Sequence, residues 1–206
     1  MAGKPHEGAG ARGPAAQSGG DARDTAAPAK PRVATCALTG CFGCHMSLLD
    51  IDERILQLID LVDFDKSPID DIKELSGPVD IGIIEGGVST EENVEVLRAF
   101  RKGCRILVAV GECALTGGVP SMRNVVPLAE CLDEAFLTGP TVVDGRIPND
   151  PNLPLLLDRV YPCHEVVKID HFLPGCPPSA DVLWAALAAL LKGEQPRLSY
   201  GLLKYD

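Results

Sequence analysis

The chain is predicted to be an α/β protein built on an open, doubly wound parallel sheet, and three features of its sequence predict this. Residues 33–38, 79–84 and 106–110 are short, β-rich and almost continuously apolar, the pattern of parallel strands covered on both faces. Helical patterns separate these runs, and strand–helix alternation implies right-handed crossovers. Aromatic residues make up only 4% of the 206 residues, against 46% hydrophobic residues overall, so the core is made mainly of Val, Ile, Leu and Ala.

Taken in order, residues 1–30 read as a separate arm of Ala, Gly, Pro, Ser and charged residues, with no large aliphatic residue before Val33. Such a segment buries too little surface to offset its ordering entropy. It reads as a disordered, solvated tail, with a strap that orders on a partner as the other option. From residue 31 to 206 the texture is that of one domain. Residues 47–61 place Leu48, Leu49, Ile51, Ile55, Leu56, Leu58 and Ile59 on one helical stripe. Ser89 or Thr90 can cap a helix over 91–101, whose first-turn Glu91 and Glu92 suit the helix dipole. A further helix is expected over 122–136. Residues 138–161 are rich in Pro, Asp and Asn and read as a surface loop with at most a short helix near Leu155. A strand over 166–172 and a helix over 180–191 complete the pattern. Residues 182–191 are apolar without interruption; a helix apolar all round is buried all round, which points to a partner subunit covering one face.

Composition excludes several classes. The formal net charge of −10, with no compensating Lys/Arg stripe, repels phosphate backbones, so nucleic acid is not an expected partner. No apolar run reaches the roughly 20 residues that span a bilayer. Nothing after Met1 resembles a signal-peptide core. Eight cysteines in such a chain therefore suggest a reducing cytoplasm, with thiols buried or held by metal.

The cysteines carry the chemistry. In open α/β sheets, ligands bind beyond the carboxyl ends of the strands. Cys41 and Cys44 form a C-x-x-C just after the first strand, Cys113 follows the strand ending at Val110, and Cys176 follows the strand near Phe172. Three strand exits thus deliver four thiolates to one edge, the donor set of an iron–sulfur cradle and an electron relay. Gly40, Gly43, Gly111, Gly117, Gly118 and Gly175 let backbone approach an inorganic core, and Pro177 and Pro178 stiffen the exit behind Cys176. A structural zinc site would normally offer two short knuckles. Only one exists here, which favours a cubane cluster, and His45 and His164 are poorly spaced for a Rieske centre. Cys36, Cys104 and Cys131 read as apolar filling. Cys163 is held in reserve, as a ligand or a thiol beside the ligands. The sequence leaves open whether Glu85 touches a partner or a proton path or is merely solvated. It also leaves open whether His45 and His164 bond to sulfur or only pack.

Four blocks carry a family resemblance: G-C-F-G-C-H-M-S-L-L-D from Gly40, E-G-G-V-S-T-E-E-N from Glu85, V-G-E-C-A-L-T-G-G-V-P from Val110 and L-P-G-C-P-P from Leu173. Together they resemble the small subunit of [NiFe] hydrogenases over residues 32–206. The block Y-P-C-H-E-V-V-K-I-D from Tyr161 is most similar to the soluble, NAD-reducing form. The resemblance implies a flavodoxin-like domain with one [4Fe–4S] cluster on Cys41, Cys44, Cys113 and Cys176. It implies a large subunit that holds the nickel–iron centre, and a diaphorase module with further iron–sulfur clusters and FMN that reduces NAD⁺. Longer small subunits add a C-terminal domain with two more clusters, whose cysteines this chain lacks. Small subunits of soluble hydrogenases serving deazaflavin or sulfur acceptors are similar. So is the cluster subunit of respiratory NADH:quinone oxidoreductase, but its motif has two adjacent cysteines and this chain has none. A flavodoxin-like FMN carrier would need a hydroxyl-rich phosphate loop where residues 39–47 offer cysteines.

Overall fold

The computed structural model describes residues 29–203; most of the arm predicted over 1–30 lies outside them. Five parallel strands form the main sheet: β1 (Arg32–Ala37), β2 (Asp63–Phe64), β3 (Val79–Glu85), β5 (Cys104–Val110) and β7 (His171–Leu173), in the order β2-β1-β3-β5-β7. Counting only these five, the order is 2-1-3-4-5, that of flavodoxin-type sheets. The direction of winding switches between β1 and β3, so their exits diverge and open a crevice at the C-terminal edge. A second, two-stranded antiparallel sheet joins β4 (Val88–Thr90) to β6 (Leu156–Tyr161).

Period-2 alternation divides the strand residues between two cores. Val33, Ile81, Ile83, Val108 and Val110 face one side, where α1 (Gly43–Leu49), α2 (Arg54–Leu61) and α6 (Ala180–Leu191) supply Leu48, Leu58, Leu183 and Leu187. Ala34, Cys36, Ile84, Leu107 and Ala109 face the other, against Leu97 and Phe100 of α3 (Glu91–Gly103). Of the two cap candidates, Thr90 caps α3: its Oγ1 accepts the Asn93 N–H at 3.1 Å. Arg101 near the C-terminus of α3 donates to Asp170 at 2.6 Å, and Asp170 also accepts the Leu107 N–H at 2.9 Å. This pair ties the α3–β5 corner to the approach of β7.

Several elements differ from the sequence expectation. The helix expected over 47–61 is broken into α1 and α2, because Asp52 turns left-handed (φ 56°) while Ile51 is wholly buried. The helix expected over 122–136 becomes a 3-10 segment at Val119–Val125, a short α5 (Leu128–Asp133) and a π turn at Glu134–Thr138; Pro127, unable to donate, divides them. The stretch 138–161, read as a loop, ends in β6. The strand expected over 166–172 shrinks to His171–Leu173, since Val166 and Val167 bond back to the Cys163 carbonyl. Finally, α6 buries Val182, Leu183, Ala186, Leu187 and Leu190 in the core and leaves Trp184 and Leu191 half-buried on its outer face. Trp184, Leu191 and Leu198 each pack against the edge of that core, and Arg54 lies 5.7 Å over Trp184. Large exposed apolar residues gather instead on α2 and across 119–156, with Val119, Met122, Val125 and Val143 at 69% or more.

Candidate metal centre

The four predicted thiols meet the crevice from three directions. Cys41 is exposed in the loop after β1, which an isolated bridge between Thr39 and Gly87 fastens to the loop after β3. Cys44 is in the first turn of α1, its Sγ 3.7 Å from the Val110 carbonyl. Cys113 is on α4 (Gly111–Thr116), which begins directly where β5 ends. Cys176 is exposed beyond β7, in a loop locked to α4: Glu112 N donates to Gly175 O at 3.0 Å and Gly175 N to Glu112 Oε1 at 3.3 Å. Ser47 of α1 donates to the Pro178 carbonyl on the other side of that loop.

The backbone comes close to the crevice sulfurs at several glycines. A Cβ at Gly111, where φ is +82°, would collide with Cys44 Sγ, and one at Gly118 would lie 2.9 Å from Cys113 Sγ. The thiols are close enough to disturb one another. Burial first, then the charge and hydrogen bond of Glu85, then Cys113 and Cys41, push the Cys44 thiol above the ordinary thiol range. Cys113 is likewise raised, by burial first and then by Cys176 and Cys41. Yet among the described residues no three His, Cys, Asp or Glu side chains converge on a point that would hold a single ion. A tetrahedral zinc site with 2.3 Å Zn–S bonds needs sulfurs roughly 3.8 Å apart. Four thiols brought to one crevice suit a multi-iron core, which takes one thiolate per iron.

The other cysteines separate cleanly, with one correction. Cys36 and Cys104 are buried in the α3-side core, and burial pushes each thiol up to about 11. The reserve candidate Cys163 belongs there too: it is fully buried, its Sγ is 3.4 Å from the Gly86 carbonyl, and its thiol is pushed up to about 12 by burial. Cys131, read as apolar filling, is half-buried on α5, a helix that buries no residue. His164 is exposed and edge-on to Phe172.

Glu85 is not solvated; it is 3% exposed. Its Oε2 accepts the His45 N–H at 2.9 Å, and His45 Nδ1 lies 3.2 Å from the same oxygen, too oblique for a hydrogen bond. His45 Nε2 is 2.9 Å from Thr35 Oγ1, which is 2.8 Å from Ser67 Oγ. Sequence reasoning singled out Glu85 and His45 but missed Thr35, Ser67 and Glu112. The acidic residue directly before Cys113 was the available signal for the last.

A parallel α/β sheet with thiols gathered at its switch point has the architecture of a small redox subunit. Consistent with this, the family described as NADH ubiquinone oxidoreductase, 20 Kd subunit, matches residues 41–190. The chain belongs to this family, among its hydrogenase small subunits. It is 47% identical over 180 residues to the NAD-reducing hydrogenase HoxS subunit delta of Cupriavidus necator, covering 86% of each chain. It is 37% identical to one subunit of the F420-non-reducing hydrogenase of Methanothermobacter marburgensis, with 82% of this chain matched but only 56% of that longer protein. A crystal structure of an NAD⁺-reducing [NiFe]-hydrogenase in the H2-reduced state is similar with a TM-score of 0.84 and 52% identity, over 86% of this chain and 99% of that one. A [NiFeSe] hydrogenase from Desulfomicrobium baculatum, at 19% identity and a TM-score of 0.51 over 83% of this chain and 68% of that one, shares the fold.

Proposed function

We infer that the chain is the electron-relay small subunit of an NAD-reducing [NiFe] hydrogenase, and that Cys41, Cys44, Cys113 and Cys176 hold one [4Fe–4S] cluster in a single domain starting near residue 31. The observation that carries this reading is the delivery of four thiols to one crevice by three separate strand exits, with glycine backbone pressed against two of the sulfurs. A cluster bound there would supply one-electron storage and release. The chain's own residues do the rest. Loops after β1, β5 and β7 fix the thiols, and the Cys44 sulfur lies against the Val110 carbonyl at the end of β5.

In this reading the source of electrons is a nickel–iron centre on a large subunit, since this chain offers only one C-x-x-C. The sink is a diaphorase module with further iron–sulfur clusters and FMN that reduces NAD⁺. Among the described residues no helix is long and apolar enough to cross a membrane, in keeping with a cytoplasmic complex. The test is purification with the natural partners, iron and nickel analysis, and assay of hydrogen-dependent reduction of NAD⁺, a deazaflavin and polysulfide. About four irons on this chain and preference for NAD⁺ are expected. Preference for another acceptor would refute the NAD-reducing assignment.

A further inference from the structure

Helix α1 carries Cys44 but lacks a cap of its own. Phe42, at the N-cap position, is left-handed (φ 66°) and makes no side-chain hydrogen bond to the helix, and no acidic residue lies in its first turn. A seven-residue helix gains little from its internal bonds, because nucleation is costly and few bonds follow it. Its first-turn donor at His45 is taken instead by Glu85, 40 positions away, at 2.9 Å. Glu85 is itself anchored on both sides by the backbone ladder. It ends β3, pairs with Ala37 of β1, and its carbonyl accepts the Leu38 N–H at 2.8 Å. The central strand thus reaches across the crevice and caps the C-x-x-C helix with a buried carboxylate.

Resting on the assignment of the four thiols above, we propose that Glu85 is a positioning residue for the cluster: its carboxylate oxygen fixes the first turn of α1 and thereby the place of the Cys44 sulfur. The tolerance there is small, since Gly111 leaves Cys44 Sγ no room even for an added Cβ. The other ties of α1 act elsewhere on it. Thr35 holds the His45 ring, and Ser47 holds the Pro178 carbonyl further along the helix. Among side chains of the described residues, only Glu85 holds a first-turn backbone N–H. What the role requires is an acceptor oxygen at that spot, and a neutral amide oxygen provides one.

The test uses the complex purified with its large subunit, as parent, Glu85→Gln and Glu85→Ala. Iron content, the rate of iron loss to an external chelator and the reduced-state paramagnetic resonance spectrum are measured. Glu85→Ala should lose iron about tenfold faster, the scale of a lost helix cap, with a broadened or shifted signal. Glu85→Gln should stay within about twofold of the parent in rate, with the parental line shape, because its amide oxygen still accepts the His45 N–H. If Glu85→Ala keeps the parental rate and spectrum, the positioning role is wrong. If Glu85→Gln fails as badly as Glu85→Ala, the charge and not the acceptor matters, and the proposal falls. Should Glu85→Ala not assemble at all, the Gln variant still decides. A parent complex lacking a four-iron signal would instead refute the ligand assignment, before any variant is compared.

Discussion

At the scale of single residues, the eight cysteines divide by what surrounds each sulfur. Cys36, Cys104 and Cys163 are buried among aliphatic side chains, and replacing Cys36 or Cys104 by alanine removes only packing. The expected cost is on the order of 1–3 kcal/mol, with the cluster spectrum retained. On the proposed ligand set, serine at Cys41, Cys44, Cys113 or Cys176 removes a soft thiolate from a four-ligand site, so each change should abolish or convert the cluster and collapse hydrogen-dependent NAD⁺ reduction. An intact [4Fe–4S] resonance in Cys113→Ser or Cys176→Ser, or its loss in Cys36→Ala, would contradict this division. Gly111 gives an independent check. Alanine there meets Cys44 Sγ and sits at φ +82°, a left-handed conformation that costs a residue with a Cβ roughly 1–2 kcal/mol before the clash is counted. Gly111→Ala should therefore yield folded protein with sub-stoichiometric iron, read by circular dichroism and metal analysis together.

At the scale of elements, the short β7 is held less by its own ladder than by the residue before it. Asp170 donates its N–H to the Leu107 carbonyl, accepts the Leu107 N–H, and pairs with Arg101. Burial alone would raise its carboxyl. The Arg101 hydrogen bond and charge, with the Leu107 N–H, outweigh that and hold it below the usual carboxylate range. A depressed folded-state value contributes stability that is fully present above the unfolded value of about 3.9, and is lost as pH falls through the folded value. Asp170→Asn should thus be less stable than the parent by about 1–2 kcal/mol near neutrality, and the gap should close as pH drops below about 4. Denaturant midpoints of both proteins, followed from neutrality down into the acid range, check this; a gap that stays constant would remove the ion pair as its cause. Because β7 leads directly to Cys176, the variant should also bind its cluster less firmly at neutral pH, which chelator challenge measures.

At the scale of the whole molecule, the chain leaves apolar surface on α2 and the 119–156 region. Where such residues join into one patch they form an interaction site. Expressed alone, the chain should elute as aggregates in low yield, and co-expression with a hydrogenase large subunit should restore a defined complex on size-exclusion chromatography. A monodisperse monomer that oxidises hydrogen unaided would contradict that expectation. The sequence by itself determined the parallel α/β class, because strands buried on both faces must read as unbroken apolar runs, as 33–38, 79–84 and 106–110 do. It also determined the candidate ligands, because a thiol set at strand exits is a local pattern of Cys, Gly and Pro. It could not determine where α1 stops, since the left-handed turn at Asp52 depends on burying Ile51 against the sheet. It missed β6, since an edge strand paired only with the three-residue β4 needs no apolar periodicity of its own. It also could not tell that Glu85 is buried, or that Cys163 is buried in the α3-side core with its sulfur against the Gly86 carbonyl. Those outcomes depend on which residues distant in sequence come to share a hydrogen bond or a packed face, and only the tertiary structure decides that.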